Sequence, residues 1–340
     1  MKEITTIGLD LAKNVFQVHG VDESGRVVVR KQLRRAQVLG FFAGLPRCVV
    51  GLEACATAHY WARELIALGH DVRLIPPSYV KAFVKRNKND AADAEAICEA
   101  VMRPTMRFVP VKTADQQATV MLHRARELLV RQRTMLVNAL RGHLAEFGVI
   151  AAKGLHKVEG LIEIVKHGGD DRVPDAARQV LSVIAKLIGD VGKKIAALEA
   201  RILAWHKSHA VCRRLATIPG IGPMTATAIA AAVPDPSAFR NGREFAAWLG
   251  LAPRQSSTGG KARLGGISKQ GDGYLRRLLI NGAHTALYWS KAAKADPWII
   301  SLRARKHPLV ATVALANKTA RIAWAVMSKE ETYRQRAVVA

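Results

Sequence analysis

The sequence predicts three parts: an α/β domain at the N-terminus, a helical coiled-coil arm in the middle and a mainly α domain at the C-terminus. Three observations predict it. Short runs rich in Val, Ile and Leu, separated by turn residues, fill the first hundred or so positions. Long stretches of helical periodicity with charged faces follow Pro110. From about Ala210 the helical pattern returns, broken by IPGIGP, by VPDPSAF and by a Gly-rich stretch from Ser256 to Gly273. The boundaries fall at 1–112, 113–208 and 209–330, with a tail at 331–340, and 340 residues suffice for domains that each bury a core.

In the first part, ITTIGLDL, NVFQVHGVD and RVVVRKQL read as three strands, the last two joined by a turn at Glu23-Ser24-Gly25, so antiparallel pairing is expected. A helix from Ala36 to Leu45 leads into the apolar strand CVVGLEA. A second helix runs from about Thr57 to Leu68, and DVRLIPP is a further buried strand. The order βββαβαβ is that of the RNase H-like (RuvC-like) core, parts of which other mixed sheets share. The arm consists of helices from about Ala114 to Phe147 and from Asp175 to His206, the first with Arg124, Arg126, Arg131 and Arg133 on its faces. The piece around His167-Gly168-Gly169-Asp170-Asp171 suits the turn of a helical hairpin.

Lys and Arg number 52 against 27 Asp and Glu, a net charge of +25, which calls for a polyanionic partner. The excess is uneven: from Lys207 onward there are 21 basic and 6 acidic residues, so nucleic-acid contact is expected there. No apolar run reaches the roughly 18 residues of a spanning helix, and MKEITTIGLDL makes a poor signal peptide. Cys48, Cys55, Cys98 and Cys212 lack zinc-ligand spacing and read as reduced, buried thiols of a cytoplasmic protein.

Asp10 ends the first strand and Glu53 the fourth, so adjacent parallel strands would bring both to one sheet edge. Asp90 and Asp93 in KNDAADAEAI stand three apart on one helical face. Each acid alone could be a helix cap or a strand-end residue. Together the four could hold the Mg²⁺ ions that phosphoryl transfer uses. In GLAPRQSSTGGKARLGGISKQGDGYLRRLLING, hydroxyls, glycines and cations share a loop that opens a helix near Tyr274. Two readings of it stand: a phosphate-gripping loop without covalent chemistry, or Ser257 as a nucleophile whose charge is balanced by Arg254, Lys261, Arg263 and Lys269. Arg276 and Arg277 open the helix that follows and join the candidate nucleic-acid contacts. LATIPGIGPMTATAIAAAV has the form of a helix-hairpin-helix, in which Gly220 and Gly222 either present helix N-terminal amides to a DNA phosphate or permit close helix packing.

The segments GLDLAK, GLEAC, KNDAADAEAI, IPGIGPMTA, WLGLAPRQSSTGGK and GISKQGDGYLRRLL resemble the DEDD transposases of bacterial insertion sequences, over nearly the whole chain. The resemblance implies that Asp10, Glu53, Asp90 and Asp93 are the family's metal-binding acids and that its catalytic serine is Ser257, with Ser256 the alternative. It implies a recombinase using a structured bridge RNA to pair donor and target DNA, with a phosphoserine intermediate. A site split between distant segments could be completed between subunits, so the expectation is a homodimer, built through the arm, that assembles to a homotetramer on two DNAs. The rival enzyme reading is a Holliday-junction resolvase or structure-specific endonuclease that uses the acids alone.

Overall fold

The computed structural model describes residues 3–84, 89–167, 170–261, 263–290 and 296–334. Residues 335–340 of the predicted tail, Lys88 of the KNDAADAEAI motif and the Gly168-Gly169 pair lie outside the described residues. The chain divides into two compact units, one of residues 1–117 and 231–245, the other of residues 118–230 and 246–340.

The first unit is built on a five-stranded mixed sheet. β1 (Thr6–Asp10), β2 (Val15–Val21) and β3 (Val27–Arg34) form the expected antiparallel meander. After a 3-10 turn at Arg35–Gln37 come α1 (Val38–Ala43), β4 (Val49–Glu53), α2 (Ala58–Ala67) and β5 (Asp71–Ile75). β4 runs parallel to β1 and β5 parallel to β4, giving the order β3-β2-β1-β4-β5. A short α3 (Pro77–Val80) and then α4 (Asp90–Val101) follow.

Strand alternation gives the sheet two unlike faces. Ile7, Leu9, Phe16, Val18, Val50 and Leu52 form one core with Val38 and Phe42 of α1 and Trp61 and Leu65 of α2. The intervening residues face α4, and two of them are glycines on neighbouring strands. A Cβ on Gly8 would stand 2.1 Å from the Ala94 carbonyl oxygen and 2.5 Å from the Cys98 nitrogen, and one on Gly51 would stand 2.9 Å from the Val101 Cβ. The helix therefore lies on bare backbone, closer to the sheet than any side chain would allow.

Helices dominate the rest: α5 (Ala114–Ala145), α6 (Val158–His167), α7 (Asp175–Ser208), α8 (Ala210–Leu215), α9 (Pro223–Ala232) and α10 (Gly242–Trp248). The strands β6 (Pro253–Gln255) and β7 (Leu264–Ile267) precede α11 (Gly273–Trp289), α12 (Pro297–Arg305) and α13 (Pro308–Lys329). Three expectations need correction. The long helices α5 and α7 are not joined by a simple turn, because Val158, Leu161 and Val165 of α6 pack with Leu140 and Leu144 of α5 and Leu181 and Ala185 of α7. The Gly-rich stretch is not only a loop: β6 and β7 pair antiparallel within it. Cys55 is exposed, unlike Cys48, Cys98 and Cys212, because the chain has left the sheet two residues earlier at Glu53. Among the described residues, no helix is long and apolar enough to cross a membrane.

Candidate active site

Asp10 and Glu53 close the parallel neighbours β1 and β4, so they emerge at the same end of the sheet and on the α4 face. Asp90 and Asp93 sit in the first turn of α4, where the partial positive charge of the helix end favours carboxylates. The cap itself is Asn89, whose side chain accepts from the Ala92 amide at 2.7 Å, so neither aspartate is spent on capping. Carboxylate oxygens of Asp10, Asp90 and Asp93 all lie within 4.8 Å of one another. Glu53 stands outside that trio, yet its charge acts on Asp10. Burial, followed by the charges of Asp93, Asp90 and Glu53, pushes the Asp10 carboxyl from 3.8 up to about 6, against a hydrogen bond from the Leu11 backbone. Carboxylates that raise the proton affinity of Asp10 also favour a cation beside it, and an all-oxygen donor set suits a hard divalent ion.

Ser257 lies in the β6–β7 hairpin of the second unit. Gly259 and Gly260, at φ 56° and 78°, make its tip, closed by a bridge between Thr258 and Lys261. The Ser257 Oγ accepts from the Gln255 side-chain amide at 3.0 Å and from the Arg263 backbone N–H at 3.3 Å. Ser256 is bound through its backbone, its N–H donating to the Arg263 carbonyl at 2.9 Å; among the described residues its hydroxyl has no partner. Lys261, Arg263 and Lys269 are exposed, and Arg254 donates to the Ser268 carbonyl at 3.1 Å.

The remaining predicted contacts divide. Arg276 donates to the carbonyls of Leu249 and Gln270 at 2.9 and 2.7 Å, bracing the base of the hairpin. Arg277 pairs with Glu127 and lies over the Tyr274 ring. Gly220, at φ 87°, has Gly282 of α11 against it, and a Cβ there would meet the Gly282 carbonyl oxygen at 2.6 Å, so packing alone demands this glycine. Gly222 has open space around it and lies at the exposed start of α9.

Two sets of residues escaped sequence reasoning. His123 of α5 bonds the Tyr274 hydroxyl at 2.9 Å and the Thr227 hydroxyl at 3.0 Å, fixing the first turn of α11 directly after the hairpin. Burial, then the Arg126 charge, lowers its pKa to about 4 and keeps it neutral. One of two histidines in a long helix, it gave no signal of this. Gln17 and His19 are buried on the same sheet face as Asp10. Their signal was legible: two polar residues at alternate positions of an apolar strand.

A carboxylate trio where a strand of a mixed sheet ends, in a strongly basic chain, is an arrangement that can hold a divalent ion against a nucleic-acid phosphate. Comparison with known proteins narrows this. Residues 7–149 match the transposase family model of DEDD type from IS110 elements, and residues 212–296 match that of the transposase IS116/IS110/IS902 family. A probable family 20 transposase of Pseudomonas aeruginosa is 52% identical over 97% of this chain and 99% of its own length. The transposases of insertion sequence elements IS1328 of Yersinia enterocolitica and IS1111A of Coxiella burnetii are 40% and 39% identical, over 97% and 98% of this chain and 98% and 92% of theirs. The chain belongs to the IS110/IS116/IS902 family of insertion-sequence transposases, enzymes that cut and join DNA.

Proposed function

We propose that this transposase joins donor and target DNA under the guidance of a structured RNA, with Asp10, Glu53, Asp90 and Asp93 as its metal-binding acids and Ser257 as its nucleophile. The observation that carries the reading is the approach of Asp10, Asp90 and Asp93 to within 4.8 Å at the end of β1. The strand order β3-β2-β1-β4-β5 with α4 across one face supports an RNase H-like (RuvC-like) domain. Mg²⁺ held there would neutralise charge on a phosphate and polarise its oxygens. The chain's own contribution is to hold the carboxylates ready: α4 is locked on Gly8 and Gly51, and Asn89 leaves both aspartates uncommitted.

Ser257 is favoured over Ser256 by its two N–H donors, which stabilise an alkoxide at Oγ. Its attack forms an Oγ–P bond and breaks a P–O bond of the strand, leaving a phosphoserine and a free hydroxyl end. Attack by the hydroxyl end of the other DNA then releases the serine. Lys261, Arg263, Lys269 and Arg254, with the α9 N-terminus at Gly222, are the proposed phosphate contacts. Arg276, Arg277 and Gly220 serve by holding the second unit's fold. A homodimer through the arm is supported by Met121, Leu128 and Met135, exposed at intervals of seven along α5, and by Val180 and Leu187 on α7. A homotetramer on two DNAs, a bridge RNA and a cytoplasmic site of action complete the reading, the RNA resting on the resemblance and on the net charge of +25.

Purified protein with Mg²⁺, guide RNA and labelled donor and target DNA tests it on a denaturing gel. Wild type should give a protein-linked DNA band that Ser257→Ala and Asp10→Ala both lose. Cutting by Ser257→Ala, with no adduct from any form, would make the protein a metal-dependent nuclease using water.

A further inference from the structure

A cleft of about 370 Å³ opens on the α4 face of the sheet, between β2, β3 and the start of α4. Gln17, His19, Arg30, Gln32, Asn89 and Glu95 line it. It is separate from the acid trio but adjoins it, because Gln17 is the residue paired across the strands with Asp10. Directly opposed residues of an antiparallel pair stand roughly 5 Å apart at Cα and point to the same face, less than the length of one nucleotide.

Gln17 supplies the open carboxamide of this cleft. It is 9% exposed, and among the described residues its carboxamide has no hydrogen-bond partner. Its amide atoms stay open to the cleft, where a ligand's hydrogen bonds can take the place of water's. The surroundings say which kind. Arg30 stands 3.7 Å from Glu95, and Lys31 also lines the cleft, so its walls carry a carboxylate beside two cations. Carboxamides, a guanidinium and a carboxylate together offer donors and acceptors in the mixed pattern that a nucleobase edge requires.

We propose that this cleft receives one base of the DNA strand, the base flanking the phosphate at the acid trio, and that Gln17 reads its edge. The inference rests on Asp10, Asp90 and Asp93 being the cleavage centre. It makes Gln17 a specificity-determining residue and requires that the base leave the stack as the phosphate is engaged.

The test is recombination in cells between the element's joined ends and a target library randomised at each position around the cut, with the products sequenced. Wild type should show a base bias at one position next to the cut, and Gln17→Leu should flatten it there by roughly tenfold, the scale of a bidentate base contact, leaving other positions alone. An unchanged profile overturns the proposal. Should Gln17→Leu give no product, Arg30→Ala decides, since it alters only an exposed rim side chain: flattening at the same position supports the cleft, and an unchanged profile overturns it. Loss of guide-RNA retention by Gln17→Leu, with the DNA profile intact, would assign the base to RNA and overturn the DNA assignment. Product from Asp10→Ala would remove the cleavage-centre reading itself, whereas a dead Asp10→Ala beside an unaltered Gln17→Leu profile removes the base cleft alone.

Discussion

Burial and the charges of three neighbouring acids meet at Asp10 in a single side chain. Its folded pKa of about 6 lies above its ordinary 3.8, so folding favours the protonated acid. The contribution of Asp10 to stability is therefore fullest below pH 4 and is lost as the pH rises through 6. Asp10→Asn keeps the shape and removes the charge. In metal-free buffer the variant should match wild type near pH 4 and melt about 2–4 °C higher above pH 6, a shift worth roughly 1 kcal/mol in a chain of this size. Divalent ion should close that gap at pH 7.5 by raising wild type only, and its affinity for wild type should weaken as the pH falls through 6, where protons compete for the same oxygens. Melting curves on both proteins, with and without Mg²⁺, check all three; a variant no more stable than wild type at pH 8 would mean the acids do not strain one another.

At the scale of elements, the seat of α4 decides whether the acids meet. Gly8→Ala puts a methyl where the Ala94 carbonyl and the Cys98 nitrogen now lie, and neither can yield without moving the helix. The cost should be about 3 kcal/mol, at the upper end for overpacking, with loss of divalent-ion binding as Asp90 and Asp93 are carried away from Asp10. Gly40→Ala in α1, with nothing within 4 Å, is the control and should be neutral or slightly stabilising. Denaturant unfolding of the two variants separates them. The strands and their order were legible because each is a short β-rich or apolar run set off by a turn or a helix, and Asp10 and Glu53 could be placed from strand ends alone. What escaped were elements whose apolar signal is short or absent. α6 spans only ten residues, too short a run to stand out although Val158, Leu161 and Val165 keep helical spacing, and β6 and β7 are almost wholly exposed, so no alternation marks those strands. The close seat of α4 was hidden for another reason, since Gly8 and Gly51 acquire meaning only when two distant strands become neighbours.

For the whole molecule the governing quantity is a charge of +25, and the question is which cations touch DNA rather than merely surround it. Charge at a distance raises the encounter rate, but only a phosphate contact releases condensed counterions, and each contributes about 0.9 to the slope of log affinity against log salt. Arg276 and Arg277 are held by carbonyls and by Glu127, so they should add little to that slope. Lys261 and Arg263 flank Ser257 on an exposed hairpin and should each count in full. The double variant Lys261→Ala, Arg263→Ala should therefore lower the slope by about 2 and weaken binding to unrelated duplexes as much as to the element's own ends, because phosphates bear no sequence. Titrations between 50 and 200 mM salt give the slopes directly. A slope unchanged in the double variant would take the hairpin off the DNA backbone, and with it the reason to look for the nucleophile there.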